Sequence, residues 1–513
     1  MSRFQTIGVN VAGGTSKNRS KALNSQSTIN FYPEVSEGGR EQFVLQSFPG
    51  LTDYKGSKTP FFGAGVDTDD KGMHRMKEVL YRVVGDFLYQ VLEDGTTITV
   101  GNINFGINTI LGKCIFADDG VNLFIQFQNS LGQYIVRTFD SSIPINPLIN
   151  NTIEVTDPNI IGSESVCFLN NQFIYTKGKF FTVSDVGNGA VASGLNTAGA
   201  ESLPDDIVRG YSFRQLLFLF GERSTEIHFN SGVGSPPFER IEGKIFTVGL
   251  GAKHSVANND NFMYWVGDDR KIYRSNGGLN ENVSNNSIVH DLESFDKFDD
   301  GIGFTFSFEN QNFYAITFKD AGTTWCLNES LGKNGWFKLS SMINFAEDEK
   351  IHGIYTAFSA IECYNEILMP LAISSTVSNN TSRLMFLDIN GFMNYDQNIL
   401  RERTMSTISS DILGVKGERM QMSKFKLILE KGVGLISGQG VDPKIMIEAS
   451  YDSGKTFGAG TWMKIGRMGE NTVQAEWHSM KSFHDLTIRI TTSDPVFYSI
   501  HAGAIDVRLV GGF

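Results

Sequence analysis

The sequence predicts an all-β protein: a seven-bladed β-propeller, with a β-sandwich-like region after it and a loop-rich segment before it. Three observations predict this class. Glycine is 54 of 513 residues and proline only 12; the glycines follow no period, as many tight turns between short strands require. Phenylalanine, at 40 residues, joins Val, Ile, Thr and Tyr in a strand-forming composition. Finally, one polar turn residue followed by three mostly bulky apolar residues recurs seven times, near the ~40–50-residue period of four-stranded blades.

The clearest unit runs from Glu78 to Val100: strand Val79–Val84, a turn at Gly85-Asp86, strand Phe87–Leu92, a turn at Asp94-Gly95, and strand Thr96–Val100. Gly-Asp and Asp-Gly between β-rich runs accept the positive φ that hairpins need. The recurring strand then begins at Asp86, Asn122, Gln172, Gln215, Asn261, Asn312 and Glu366, with spacings of 36, 50, 43, 46, 51 and 54 residues. Uninterrupted apolar triplets suit inner strands buried on both faces between neighbouring blades. A single blade leaves those faces wet, and only a closed ring covers them and hides the sheet edges. The expected division is a loop-rich docking segment over 1–75, a propeller over 76–400 and a β-rich assembly domain over 401–513. The last has strand candidates Phe425–Leu429, Lys444–Ala449, Leu486–Thr491 and Ala504–Val510, which alternate polar and apolar like a half-exposed antiparallel sheet. Gly432 to Gly440 is read as a flexible loop within it.

A formal charge of −12 and a pI near 5.3 lack the basic footprint of a protein that grips nucleic-acid phosphates. The acid lies in residues 1–400, with 30 Lys/Arg against 44 Asp/Glu, while 401–513 hold 14 against 12. Such a surface keeps a protein soluble, and it also suits a wall that repels polyphosphate. Cys114, Cys167, Cys326 and Cys363 lie far apart in apolar stretches, as buried reduced thiols do. Met1-Ser2-Arg3-Phe4 opens no secretory signal, and no 18-residue uncharged apolar run predicts a membrane span.

The strongest local motif is Ser450-Tyr451-Asp452-Ser453-Gly454-Lys455-Thr456-Phe457, an Asp-box-like turn. In it Ser450, Asp452, Gly454, Thr456 and Phe457 have structural roles: the carboxylate caps turn amides, glycine supplies positive φ and the aromatic packs beneath. Gly454-Lys455-Thr456 is no phosphate loop, because Ala449 stands where the first glycine belongs and no strand-to-helix context follows. The histidines (His74, His228, His254, His290, His352, His478, His484 and His501) show no i, i+4 metal spacing, and no G-x-S-x-G elbow occurs. The acidic run Asp291 to Asp300 lacks the order of a calcium loop and reads as a solvated loop. The expectation is therefore no catalytic residue, no cofactor and no metal: a protein that is not an enzyme.

Two N-terminal stretches point to a family. Thr28-Ile29-Asn30-Phe31-Tyr32-Pro33-Glu34, then Leu45-Gln46-Ser47-Phe48-Pro49-Gly50-Leu51-Thr52, with the Leu80–Val91 hairpin beyond, resemble the packaged-DNA stabilisation or tail-hub (nozzle) proteins of short-tailed bacteriophages (podoviruses). Similar too are Leu203-Pro204-Asp205-Asp206-Ile207, Phe213-Arg214-Gln215-Leu216, Gly221 to Ile227, Trp336-Phe337-Lys338, Ser493-Asp494-Pro495-Val496 and Ile505-Asp506-Val507-Arg508-Leu509, in family order. Asn30, Tyr32, Pro33, Glu34, Phe48, Pro49 and Gly50 are the motif positions, with structural roles. Longer loops at Gly187–Ser202 and Ala372–Arg383 depart from the family. The resemblance implies a structural virion protein, made in the host cytoplasm, whose propellers form a homo-oligomeric (hexameric) ring at the distal end of the tail. That ring would meet a portal-adaptor (head-completion) protein, tail fibres or spikes, and a needle or plug. It would close the exit for packaged DNA and conduct DNA at ejection without holding it tightly. The alternative is a propeller tail protein that binds or cleaves receptor glycans, which needs paired carboxylates at a central pocket.

Overall fold

The computed structural model describes residues 3–17, 25–35, 43–58, 69–104, 109–200, 205–341, 343–346, 349–371, 383–394, 399–400, 403–409 and 418–510. Leu203-Pro204 of the family-like segment and most of the Ala372–Arg383 loop lie outside the described residues, as do 201–202 of the Gly187–Ser202 loop.

Seven four-stranded antiparallel blades follow one another. Blade 1 is Asp70–Met76, Val79–Val84, Phe87–Val91 and Thr97–Asn102; blade 2 is Ile110–Asp118, Asn122–Asn129, Tyr134–Asp140 and Thr152–Glu154. Blade 3 is Ser165–Leu169, Gln172–Lys177, Phe180–Val183 and Thr197–Gly199; blade 4 is Ile207–Phe213, Leu216–Gly221, Thr225–Asn230 and Phe238–Phe246. Blade 5 is Ala257–Asn258, Met263–Val266, Ile272–Ser275 and Asn280–Asn282; blade 6 is Ile302–Phe308, Gln311–Phe318, Thr323–Asn328 and Trp336–Leu339. Blade 7 takes Ile361–Cys363, Glu366–Pro370 and Arg383–Asp388 in order, and its fourth strand, Gly50–Lys58, comes from the opposite end of the chain. The ring is therefore closed by hydrogen bonds between distant segments, which leaves no blade open at the seam.

A separate apolar cluster fills each space between adjacent blades, including the seam, where Tyr54, Met73, Leu80, Cys363 and Leu368 join blade 7 to blade 1. The apolar triplets fall on the second strand of blades 2 to 7, where both faces are covered: Leu217, Phe218, Leu219 and Phe220 are all buried. Blade 1 differs. Its Phe87-Leu88-Tyr89 lies on the third strand, and the equivalent second strand is Val79–Val84. Blade 1 has two hairpins of similar appearance, and the sequence pattern takes the later one. Starting the series at Glu78 removes the short first spacing.

The four strand candidates beyond residue 401 fall within Met420–Leu429, Lys444–Ser450, Leu486–Thr492 and Ser499–Leu509. They form two sheets over one core that includes Phe425, Ile447, Ile488 and Ile505. Both sheets also recruit the N-terminus, so residues 1–75 carry more strand than their loop-rich composition suggests. Gln5–Val9 pairs with Ser499–Leu509, and Phe43–Ser47 joins Phe31–Val35 to that same strand. Ser25–Ile29 lies between Trp336–Leu339 of blade 6 and Arg403–Ser409 of the sandwich, making one continuous sheet of the two units. A second departure is the helix Asn286–Ser294, capped by Asn285, which contains Asp291 and Glu293 of the run read as a solvated loop. Ile288 and Leu292 bury one face of it.

Candidate functional site: the closure seam and the central channel

The family-like N-terminal positions are the fastening of the molecule. Asn30 sits at φ 57°, where a short amide side chain is tolerated. Its Nδ2 donates to the Ser340 carbonyl at 2.9 Å and its Oδ1 accepts from the Ser340 amide at 2.9 Å, so one side chain imitates a strand partner for blade 6. The Tyr32 hydroxyl donates to Glu309 at 3.1 Å; burial, then Glu309 and Glu34, push that phenol far above its ordinary range. Glu34 accepts from Gln311 at 2.7 Å and from Gln46 at 3.2 Å, and the Pro33 carbonyl accepts from Asn328 at 2.9 Å. Phe48 is fully buried within 6.4 Å of the rings of Tyr32, Phe306, Phe308, Phe313, Phe337 and Tyr355, mostly edge to face. Pro49 then leads to Gly50, whose amide donates to Gly391 at 2.6 Å as the closing strand begins.

The first strands of adjacent blades line the central channel, which widens into two cavities. One, of about 340 Å³, is walled by Lys71, His74, Lys113, Arg209, His254 and Phe358 among others, with no carboxylate among the described residues that line it. The other, of about 360 Å³, is lined by Arg75, Asp260, Asn312 and Glu362 among others. Behind the first cavity, Asp70 is fully buried and links two blades. It accepts from Arg82 Nη2 at 3.0 Å and from the Gly72 amide at 3.0 Å, and its backbone carbonyl accepts from Lys113 Nζ at 2.9 Å. Burial holds the Lys113 ammonium below its ordinary range against the opposing pull of Asp70. Arg209 donates to the Lys253 carbonyl at 2.9 Å and lies over the Tyr211 ring. His74 pairs with Asp118 at 2.6 Å. None of Lys71, Lys113, Arg209 and Asp70 stands out in the sequence: Asp70 and Lys71 sit in a charged run with Asp69 and Arg75, and Lys113 and Arg209 are isolated cations between apolar residues; the nearest signal is the glycine beside each lysine, Gly72 and Gly112.

The remaining candidates make contacts within the fold. In the Asp-box-like turn, Asp452 accepts from the Lys455 and Thr456 amides at 3.0 and 2.9 Å and from the Ser450 and Thr456 hydroxyls at 2.6 Å. Those bonds, Ser450 first, hold its carboxyl far below the usual range. Gly454 supplies φ 77°, and Phe457 packs beneath the Arg489 guanidinium at 3.9 Å. The four cysteines are buried and free, with burial pushing Cys114 and Cys167 up to about 12. His228 pairs with Glu226 at 2.9 Å, and His501 with Ser499 at 3.0 Å. Asp291 pairs with Lys338 at 2.7 Å. Among the described residues, no three His, Cys, Asp or Glu side chains converge as a metal site would require, and no helix is long and apolar enough to cross a membrane.

Two outward patches have no internal explanation. On the outer edge of blade 2, Ile143, Leu148, Ile149 and Ile153 are exposed, Leu148 to 90 %. The sandwich exposes Ile436, Trp462, Met468 and Met480.

The family model described as "Bacteriophage P22 Gp10, beta-propeller" (Phage_stabilise) matches residues 7–372. No curated protein matches the chain. Among solved structures, similar ones include PorZ of the Porphyromonas gingivalis type-IX secretion system, at 9 % identity and TM-score 0.36, covering 65 % of this chain; this chain spans only 38 % of that one. BamB from Moraxella catarrhalis is 9 % identical at TM-score 0.37, covering 64 % of this chain and 96 % of its own. The Neurospora crassa Pan2 WD40 domain is 10 % identical at TM-score 0.38, covering 69 % and 98 %.

Proposed function

This chain belongs to the bacteriophage P22 Gp10 β-propeller family, and from that premise we propose that it forms the tail hub, or nozzle, of a short-tailed phage. It is a structural protein of the phage tail; the finer reading is a ring of identical copies, six by family resemblance, that closes the DNA exit and conducts DNA at ejection. The observation that carries the ring is the pair of unlike exposed apolar groups, aliphatic on blade 2 and Trp- and Met-containing on the sandwich. A closed ring of identical subunits joins two different surfaces of each copy, and exposed apolar clusters mark interaction surfaces. On this reading residues 401–513 are the assembly domain and 1–75 the docking segment. The neighbours are a portal-adaptor protein above, and fibres or spikes with a needle or plug below. Chains made in the host cytoplasm end in the virion.

DNA would run through the lumen shared by the copies, not through one propeller. Cavities of about 340 and 360 Å³ admit small ions, whereas a duplex has a major groove alone about 12 Å wide. The acidic excess of residues 1–400 suits a shared wall past which DNA slides without binding.

The test is a Leu148→Asp/Ile149→Asp chain expressed in the encoding phage. The purified variant is expected to melt like the wild type, because both side chains face solvent, while incorporation into tails and plaque yield fall by at least tenfold. Normal incorporation would remove blade 2 from the ring contact. Cleavage of host surface polysaccharide by the purified wild-type chain would instead favour the glycan-directed alternative.

A further inference from the structure

Three of the seven innermost strands leave regular register, and they are the three that supply cations to the cavity of about 340 Å³. In blade 1, Asp70 faces Val84 and Gly72 faces Val83, which leaves Lys71 as the extra residue of a bulge. In blade 2, Leu111 faces Gln128 and Ile115 faces Gln126, so Gly112, Lys113 and Cys114 together oppose Phe127 alone, with Gly112 at φ 65°. In blade 4, Ile207 faces Gly221 and Arg209 faces Phe220, so Arg209 follows the extra residue Val208. The first strands of blades 3, 5, 6 and 7 pair with their second strands without a shift. Bulges re-aim side chains and gather at binding sites. Here they gather at the cations.

These charges are costly where they stand. Lys71 and Lys113 are 7 % and 8 % exposed, and the Arg209 Nε has no hydrogen-bond partner. The carboxylates beside them lie in the wall. Asp70 is shared between Arg82 and Lys113, Asp69 lies 4.0 Å from Lys71, and Asp118 pairs with His74. Lys253, which donates to the Glu164 carbonyl, and Lys319, over the Phe358 ring, add positive field nearby. Burial, then Arg209, Lys253, Lys113 and Lys319, push the His254 imidazole well below its ordinary range, so it stays neutral and adds no charge. Cations gathered around one cavity repel one another, and an anion held among them relieves that repulsion.

We propose that this cavity is a binding site for a small oxyanion of the phosphate class, held by Lys71, Lys113 and Arg209. The guanidinium offers the planar fork that matches two oxygens of such an ion, and the two ammonium groups act as point charges from blades 1 and 2. The ion would cross-link blades 1, 2 and 4 at their inner ends and stiffen the ring there. A tetrahedral oxyanion presents separate oxygens to donors from three blades, which a spherical chloride does not. Such a site would be complete in a single chain, whether or not the ring forms.

The test uses full-length protein. Its thermal midpoint and titration heats are followed against inorganic phosphate, sulfate and chloride at constant ionic strength, with Arg209→Gln and Lys71→Gln beside the wild type. Phosphate and sulfate are expected to give saturable heats and a midpoint rise of a few degrees that chloride does not give, because ligand binding to the native state stabilises by mass action. Each variant should weaken phosphate binding at least tenfold while melting cooperatively without phosphate. Absence of saturable binding to the wild type overturns the site, whatever the variants do. So does an unchanged affinity in either folded variant.

Discussion

Gln215 adopts φ 63°, a conformation costly to any residue with a Cβ, and it does so beside Arg214 at φ 50°. The pattern repeats: Asn170-Asn171, Glu309-Asn310 and Tyr364-Asn365 also hold two consecutive positive φ values between the first and second strands of their blades. These are tight two-residue turns whose twist matches the flanking strands, and they favour Asn-Gly. Blade 4 uses residues that suit it less well. Gln215 is exposed, so Gln215→Gly is expected to stabilise the chain by about 0.5–1 kcal/mol; equilibrium urea unfolding would measure it, and a destabilised variant would contradict the turn assignment. These turns explain why the repeat was legible. Each begins its second strand at a polar residue, and the apolar triplet follows. They also explain the slip in blade 1, where Gly85 at φ 55° makes the second hairpin look like the first. The cations of the channel were not legible. A lysine in an apolar strand is read as an edge or a solvent-facing position, and a bulge leaves no pattern in one sequence beyond a neighbouring glycine.

The strand Gly50–Lys58 shows what sequence periodicity cannot reach. Repeats are read between neighbours in the chain, but the partner of this strand is Arg383–Asp388, more than 300 residues away. Nothing local distinguishes a closing strand from a linker. The motif Ser47-Phe48-Pro49-Gly50 was visible as a resemblance, and its physical role appears only in three dimensions. Phe48 anchors the turn from the sandwich into blade 7 among six aromatic rings. Phe48→Ala is expected to cost about 3–5 kcal/mol, as large-to-small changes in a filled core do. The loss should be local first. Amide exchange of residues 50–58 should accelerate more than that of blade 4, on the far side of the ring, because the closing strand loses its anchor before distant blades feel it. Uniform acceleration across all blades would mean that Phe48 is only one core residue among many.

At the scale of the whole molecule, the chain runs twice between its two units, and this decides how it can be cut. The sequence suggested three consecutive parts, 1–75, 76–400 and 401–513. The strand pairing argues otherwise. Removing 401–513 takes away Ser499–Leu509, the partner of both Gln5–Val9 and Phe43–Ser47, and Arg403–Ser409, the partner of Ser25–Ile29. It also uncovers Val11, Phe31 and Leu45, which are buried in the sandwich core. Phe31–Val35 and Phe43–Ser47 would become an isolated two-stranded ribbon, which is marginal in water, with an unpaired edge and an apolar face open to other chains. That ribbon leads directly into Phe48 and the closing strand, so damage at the sandwich is transmitted to the seam. The truncated chain 1–400 is therefore expected to aggregate, or to melt well below the full-length protein, when followed by size-exclusion chromatography and thermal unfolding. A further deletion of residues 3–47 should not rescue it, because it removes Asn30 and Tyr32 from blade 6. A monodisperse 1–400 chain melting at the full-length temperature would show that propeller and sandwich are independent after all.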